Sequence, residues 1–458
     1  MKTYTDGFFS VNSSNGFLPL HEPLQTLPTK YFELQFLLDN MPICKEDGSP
    51  GYLAINGEIE KATNQLPNFY EEVKEEKDPF VKAALFRAYS FLTSAYTLSP
   101  SYQFFKKTGD YGLGNKIIPK NIAQPFVKIS EMLEVSPWLD YHYAYSLGNY
   151  RKKNSSKGLE WTNLSMAVKF SGLKDEEGFI MLHVDINQYS PDLVKAALDL
   201  SENNSDPNPS LLLLGETLKK MNERRKLMWE ASRWKNYNDF RIFIMGSKGN
   251  TKIFPDGNIY EGVWETPQSF RGQTGAQDNI IPTADIISGV INYYPKNQLT
   301  DYLLDLRNYR PKCIQAFFSD ISEKMSHSPL LDRLVSNENF SGMLLLMKVY
   351  EEIYLFRNGH WQFVQKYIMQ NTSYPVATGG TPITSWIPNQ IKAVLSAMKM
   401  LFDKMDKYSE ENWNKKELMA SYDNKVTLLN KQLKIVSIEA FNPEEVFILN
   451  EKLGFKDF

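Results

Sequence analysis

Leu346, Val349, Ile353, Phe356, His360, Val364 and Tyr367 fall at steps of three and four along one uninterrupted run of the chain. Such spacing puts all seven on one stripe of a helix, and a stripe of that kind must be buried against other elements. The same period recurs over 29–41, 68–99 (broken near Asp78-Pro79), 178–200, 209–246, 280–294, 297–324 and 340–370. Alternating strand patterns are scarce; Gly51–Asn56 (GYLAIN) is the best of them. The stretches 201–210, 247–258 and 371–382 carry the Gly, Pro, Asn and Ser of loops, and RKKNSSKG (151–158) has the composition of a linker. The expected architecture is therefore mainly α. It comprises a smaller mixed N-terminal domain (1–155), a large helical domain (156–400) and a charged helical extension (401–458).

In a chain of 458 residues, 42% hydrophobic and 13% aromatic, there is ample material for a large core. The net charge of −3 is spread without basic clusters, which speaks against nucleic acid or a polybasic membrane contact as partner. Cys44 and Cys313 stand far apart, so neither a cysteine zinc site nor a disulfide framework is expected, and a reducing compartment is. The N-terminus has no continuous apolar segment of the secretory kind, and no run approaches 18 apolar residues. A soluble, cytoplasmic protein is the expectation.

Of five histidines, His360 is the one set in the apolar stripe of a long helix. It could be a core imidazole donating to a backbone carbonyl. It could equally be an axial ligand, since a neutral imidazole on a helix beside an apolar slot is a common way to hold haem iron. Arg357, one turn earlier, could then meet a propionate. A competing pattern is His183-Val-Asp185, which with His360 would make a two-histidine, one-carboxylate iron site; that motif normally sits on a β-strand, which this chain does not supply. SFRGQTGAQDNIIP (269–282) is neither a Walker loop nor a dinucleotide fingerprint, and ATGGTP (377–382) reads as a flap able to bind a carboxylate or ammonium.

GFLPLHEPL (16–24), LGNYRK (147–152), SGLKDEEGF (171–179), DFRIFIMGSKGN (239–250), YEGVWE (260–265), FRGQTGAQDNIIP (270–282), LRNYRPK (306–312), FRNGHWQFVQKYI (356–368) and TGGT (378–381) occur in one order with compatible spacing. Together, over roughly residues 16–400, they resemble the indoleamine 2,3-dioxygenase family. The resemblance implies a helical haem domain capped by a small domain, with haem b, ferrous when active, held by His360. Arg357 and Asp285 would lie near the haem. The substrate would be L-tryptophan or a related indole, cleaved by O2 across the C2=C3 bond to N-formylkynurenine. Arg241 matches the arginine for the substrate carboxylate, a task suited to a guanidinium fork. Phe179 matches the aromatic that lines the distal pocket, and Thr274, Gly275 and Ala276 match its small-residue wall. Thr378, Gly379, Gly380 and Thr381 match the loop that closes over the amino-acid end.

Five positions depart from the family pattern. His183 stands where animal members have a small serine, Asn236 and Tyr237 replace a pair of phenylalanines, Asp278 replaces a small hydroxyl residue, and His142 falls near an aromatic pocket position. These polar changes leave open a modified tryptophan or another indole of secondary metabolism as substrate. They also leave open a non-catalytic haem sensor in which His183 and His360 both ligate iron.

Overall fold

A computed structural model describes residues 2–203, 206–370, 374, 376–381, 383–409 and 413–439. Helices dominate it, and the three strand pairs are short: Tyr4–Thr5 with Ser10–Val11, Ile117–Ile118 with Ile259–Tyr260, and Tyr150–Lys152 with Leu164–Met166. In the N-terminal part the organising element is the helix Pro79–Thr108. Asp78 caps it by accepting from the Phe80 and Val81 amides, Pro79 needs no amide partner in the first turn, and Gly109 ends it in the left-handed region. Almost every side chain from Ala83 to Tyr102 is buried, so this helix forms the axis of the N-terminal core. In the C-terminal part the helix Phe340–Val364 packs between Asn208–Arg225 and Ile383–Met405. The two parts are stitched by long-range bonds: the Phe17 amide donates to Ser190 Oγ at 2.9 Å, and Tyr4 Oη to Asp320 Oδ2 at 2.6 Å.

The helical expectation holds, with finer divisions. The 178–200 segment is two helices, Lys174–Asn187 and Ser190–Glu202, because Pro191 cannot continue the hydrogen-bond ladder and starts the second helix instead. The segment 209–246 is regular only to Arg225 and then runs through one-turn pieces to Ile244. Pro311 divides 297–324 into Gln298–Arg307 and Lys312–His327. GYLAIN is not a strand: Tyr52–Ala54 forms a 3-10 turn, with only Leu53 fully buried and Ile55 half exposed, so there is no alternating face to pair. RKKNSSKG is not an open linker either, since Tyr150–Lys152 pairs with Leu164–Met166 and Asn163 closes the intervening loop on the Asn154 and Gly158 carbonyls. Of the expected C-terminal extension, Lys415–Glu439 is a helix packed on Ile383–Met405, and residues 440–458 lie outside the described ones. Among the described residues no helix is long and apolar enough to cross a membrane.

Candidate active site

A deep, mostly apolar cavity opens between the helix Phe340–Val364, the helix Lys174–Asn187 and the loops that follow Arg241. Its empty volume, including the mouth, is ≈ 1640 Å³. Phe356, Arg357, His360, Phe363 and Val364 form one wall, to which the apolar stripe read from the sequence contributes Phe356, His360 and Val364. The His360 imidazole faces the cavity and makes no hydrogen bond to any other described residue. The backbone-carbonyl partner of an ordinary core histidine is therefore missing. Burial, with the nearby Arg225 cation and the His183 ring, holds its pKa down to about 4, so the ring is neutral at physiological pH.

Two arginines flank this wall. Arg357 Nη2 donates to Asp285 Oδ2 at 2.5 Å, while its Nε and Nη1 are buried without a partner. Asp285 also accepts from the Tyr294 hydroxyl, and its Oδ1 is unpaired. Arg225 lies across Gly359 with its guanidinium over the Phe356 and Phe363 rings, at 5.7 and 5.5 Å from their centroids. A Cβ on Gly359 would sit 2.0 Å from Arg225 Nη1, so this glycine is what lets the cation approach the helix.

The opposite wall is polar. His183 Nδ1 lies 3.3 Å from Tyr141 Oη, whose hydroxyl is 2.6 Å from Asp278 Oδ2. Asn187 Nδ2 donates to the same carboxylate oxygen at 2.9 Å, and the Ile280 amide to Asp278 Oδ1 at 2.8 Å. Burial lowers the His183 pKa against the opposing pull of the Asp278 charge. Phe179 packs edge-on to His183 and against Tyr237 and Phe240, giving an aromatic side between the two histidines.

The remaining boundary is built from loops. Thr274 caps the short turn Gly275–Gln277 through a reciprocal capping box, which fixes Thr274, Gly275 and Ala276 along the rim. The TGGT turn closes on itself, Ala377 N to Thr381 O and Gly380 N to Ala377 O, both 2.8 Å. Its Thr378 carbonyl accepts from Gly246 N at 3.0 Å, and Arg271 Nη1 holds the Gly379 carbonyl at 3.0 Å.

Phe179, His183, Thr274, Gly275, Ala276, Asp285, Arg357, His360, Thr378 and Thr381 thus share one cavity. Gly379 and Gly380 are buried in the same turn, Gly379 against Thr274 and Gly380 against Lys248, and do not themselves line the cavity. His142 does not line the cavity: it is fully buried one layer back, with Nε2 3.2 Å from Asn279 Oδ1. Arg241 is also set back, donating from Nη1 to Tyr111 Oη at 2.8 Å and from Nη2 to the Val376 carbonyl at 2.7 Å, with its Nε buried and unpaired. Asn236 points away to Asp175, whereas Tyr237 does line the cavity. The His183–Asp185–His360 iron site is ruled out, because Asp185 is taken by Arg224 through bonds of 2.7 and 2.5 Å. Sequence reasoning missed Arg225 and Tyr141. The Arg225 signal was an arginine at a helix end paired with a distant glycine; Tyr141 had no local signal in YHYAY.

Fold and cavity together define a mainly helical enzyme built around one deep apolar site with a cationic and a polar side. The sequence profile of the indoleamine 2,3-dioxygenase family matches residues 6–379. Rat indoleamine 2,3-dioxygenase 1 is 25% identical over 372 residues, covering 79% of this chain and 84% of the rat protein. Human indoleamine 2,3-dioxygenase 2 is 27% identical over 273 residues, 58% of this chain and 65% of the human one. The 6-hydroxytryptophan 2,3-dioxygenase of Fusarium equiseti is 22% identical over 378 residues, 79% of this chain and 84% of its own. The chain belongs to the indoleamine 2,3-dioxygenase family, whose members are haem-dependent dioxygenases acting on indoles.

Proposed function

We propose that this protein cleaves the indole ring of L-tryptophan with O2, giving N-formylkynurenine, and that His360 holds haem b. The observation that carries this reading is the His360 imidazole, neutral, facing the cavity and without a hydrogen-bond partner among the described residues. The buried, unpaired Nε and Nη1 of Arg357, with Arg225 beside them, suit the carboxylates of a haem edge. When bound, ferrous haem b supplies the redox-active iron that brings O2 into reaction with the indole. Phe179 and Tyr237 give the indole an aromatic flank, while the small side chains of Gly275 and Ala276 leave it room. Thr378 and Thr381 offer hydroxyls to the amino-acid end, and Arg241, behind the Val376 carbonyl, supplies positive charge once that carbonyl gives way. The enclosing walls keep water from the reacting ring. Both atoms of O2 end in the product, so turnover consumes no external reductant.

The test is an anaerobic spectrum of the ferrous protein with and without L-tryptophan, followed by admission of oxygen. A substrate-dependent Soret shift and then the formylkynurenine absorption are expected. A protein that takes up no haem, or that binds haem and makes no product, refutes the reading. A second reading, a ring-hydroxylated tryptophan, is favoured by the Tyr141, Asp278 and His183 wall. It wins if 6-hydroxy-L-tryptophan is turned over with the higher kcat/KM in the same assay.

A further inference from the structure

Of the two arginines on the cavity wall, Arg357 has a carboxylate partner in Asp285, whereas Arg225 meets none among the described residues. Arg225 is nevertheless buried. Its bonds are long and go to neutral groups, Nε to Asn222 Oδ1 at 3.3 Å and Nη2 to the Leu355 carbonyl at 3.4 Å. Glu352 stands one bond further out, where Asn222 Nδ2 donates to its carboxylate at 2.8 Å and to its carbonyl at 2.9 Å. Burial lowers the guanidinium pKa only to about 10, so the group keeps its charge at physiological pH.

Shape holds this cation in place. Gly359 admits it, since a Cβ there would lie 2.0 Å from Nη1. Phe356 and Phe363, one turn before and one turn after His360, carry it over their rings. Its field reaches the imidazole, because after burial the Arg225 charge is the main influence keeping His360 neutral. An iron-ligating histidine commonly passes its second ring hydrogen to a carboxylate or carbonyl, which strengthens it as a donor to the metal. His360 has no such acceptor among the described residues, and the charge beside it is of the opposite sign. Uptake of one electron lowers the charge at an iron by one, so a fixed cation nearby favours the ferrous form.

We infer that Arg225, a buried cation packed against Gly359 beside His360 with no carboxylate partner among the described residues, biases the haem iron toward the ferrous state. It touches neither substrate nor reacting atoms and acts through its charge alone. This rests on the reading of His360 as haem ligand and deepens it, since that reading needs ferrous iron and consumes no electrons in turnover. An iron that resists oxidation then stays active from one cycle to the next.

The experiment is an anaerobic, mediator-coupled spectroelectrochemical titration of the haem-loaded full chain, without substrate. Arg225→Gln removes the charge, and the ferric-to-ferrous ratio at a given potential is expected to rise roughly tenfold, a fall of about 59 mV in midpoint for a one-electron couple. Arg225→Lys keeps the charge and is expected to stay near the native midpoint. A third variant exchanges the neighbours, Asn222→Asp together with Glu352→Gln. It leaves Arg225 and the net charge unchanged, and puts the carboxylate directly against the guanidinium. Its midpoint is also expected to fall, and it decides the matter if Arg225→Gln retains no haem. A native midpoint in Arg225→Gln or in the exchanged pair overturns the inference. So does an Arg225→Lys midpoint as low as that of Arg225→Gln, because packing and not charge is then at work. Each of these results leaves the haem reading standing. If the native protein takes up no haem, that reading fails and the inference with it.

Discussion

Asp285 and Arg357 meet carboxylate to guanidinium at 2.5 Å, with 1% and 3% of their side chains exposed. Neither could stay charged alone at that depth. Asp285→Ala leaves the Arg357 cation uncompensated, and a loss of about 3–5 kcal/mol in stability of the haem-free protein is expected. If Arg357 also meets a haem carboxylate, added haemin recovers part of that loss through linked binding. Urea unfolding of both forms checks this, and an equal loss with and without haemin would place Arg357 away from the haem.

Gly359→Ala forces a methyl group into the space of the Arg225 guanidinium. Overpacking of this kind costs about 1–3 kcal/mol. Arg225 is expected to leave the His360 wall, so haemin affinity should fall along with the urea midpoint. A variant with lowered stability and native haemin titration would separate Arg225 from cofactor binding.

How far the sequence foretold this site depends on the range of the interactions involved. The apolar stripe from Leu346 to Tyr367 is a local, periodic signal, and it points His360 inward from one long helix, where it lines the cavity. Pro191 and Pro311 are visible too, but the apolar period runs straight through the helices they divide and hides the breaks. In the sequence Asp185 is a carboxylate two residues from His183, and only the fold brings Arg224 onto it. Arg241, matched by motif alone, is instead held by Tyr111 and Val376, contacts 130 and 135 residues away in the chain. Tyr141 and Asp278 likewise come together across 137 residues, and no spacing rule reaches that far.

Gly380 has φ +85°, and a Cβ there would lie 2.2 Å from the Lys248 carbonyl oxygen. Gly380→Ala carries the left-handed penalty of about 1–2 kcal/mol and also lifts the TGGT turn off the neighbouring loop. A roughly tenfold rise in KM for the indole with a smaller change in kcat is expected. Steady-state kinetics decide it, and an unchanged KM would show that this turn takes no part in closing the site.

His142 and Asp140, two residues apart, oppose each other in their pH dependence. Burial, with the Arg310 charge, holds the His142 pKa down to about 3, whereas the unfolded residue titrates near 6.5. Its contribution to stability is full above about 6.5 and declines by about 1.4 kcal/mol per pH unit as pH falls toward 3. Burial pushes the Asp140 carboxyl up to about 7, so its contribution has the other sign and grows as pH falls from 7 toward 4. Over roughly pH 4–6.5 the two nearly cancel. His142→Phe is expected to expose the Asp140 slope, making the variant gain stability relative to the native protein as pH is lowered through that window. Tm against pH for both proteins is the check, and parallel curves would contradict it.

The central claim, that His360 holds the haem with which this protein cleaves tryptophan, is tested most directly by turnover of L-tryptophan under ¹⁸O2, with mass analysis of the product from the native protein and from His360→Ala. The native protein should yield N-formylkynurenine carrying two labelled oxygens, and His360→Ala, unable to retain haem, should yield none. A product with one label, no product from the native holoprotein, or undiminished product from His360→Ala would contradict the account.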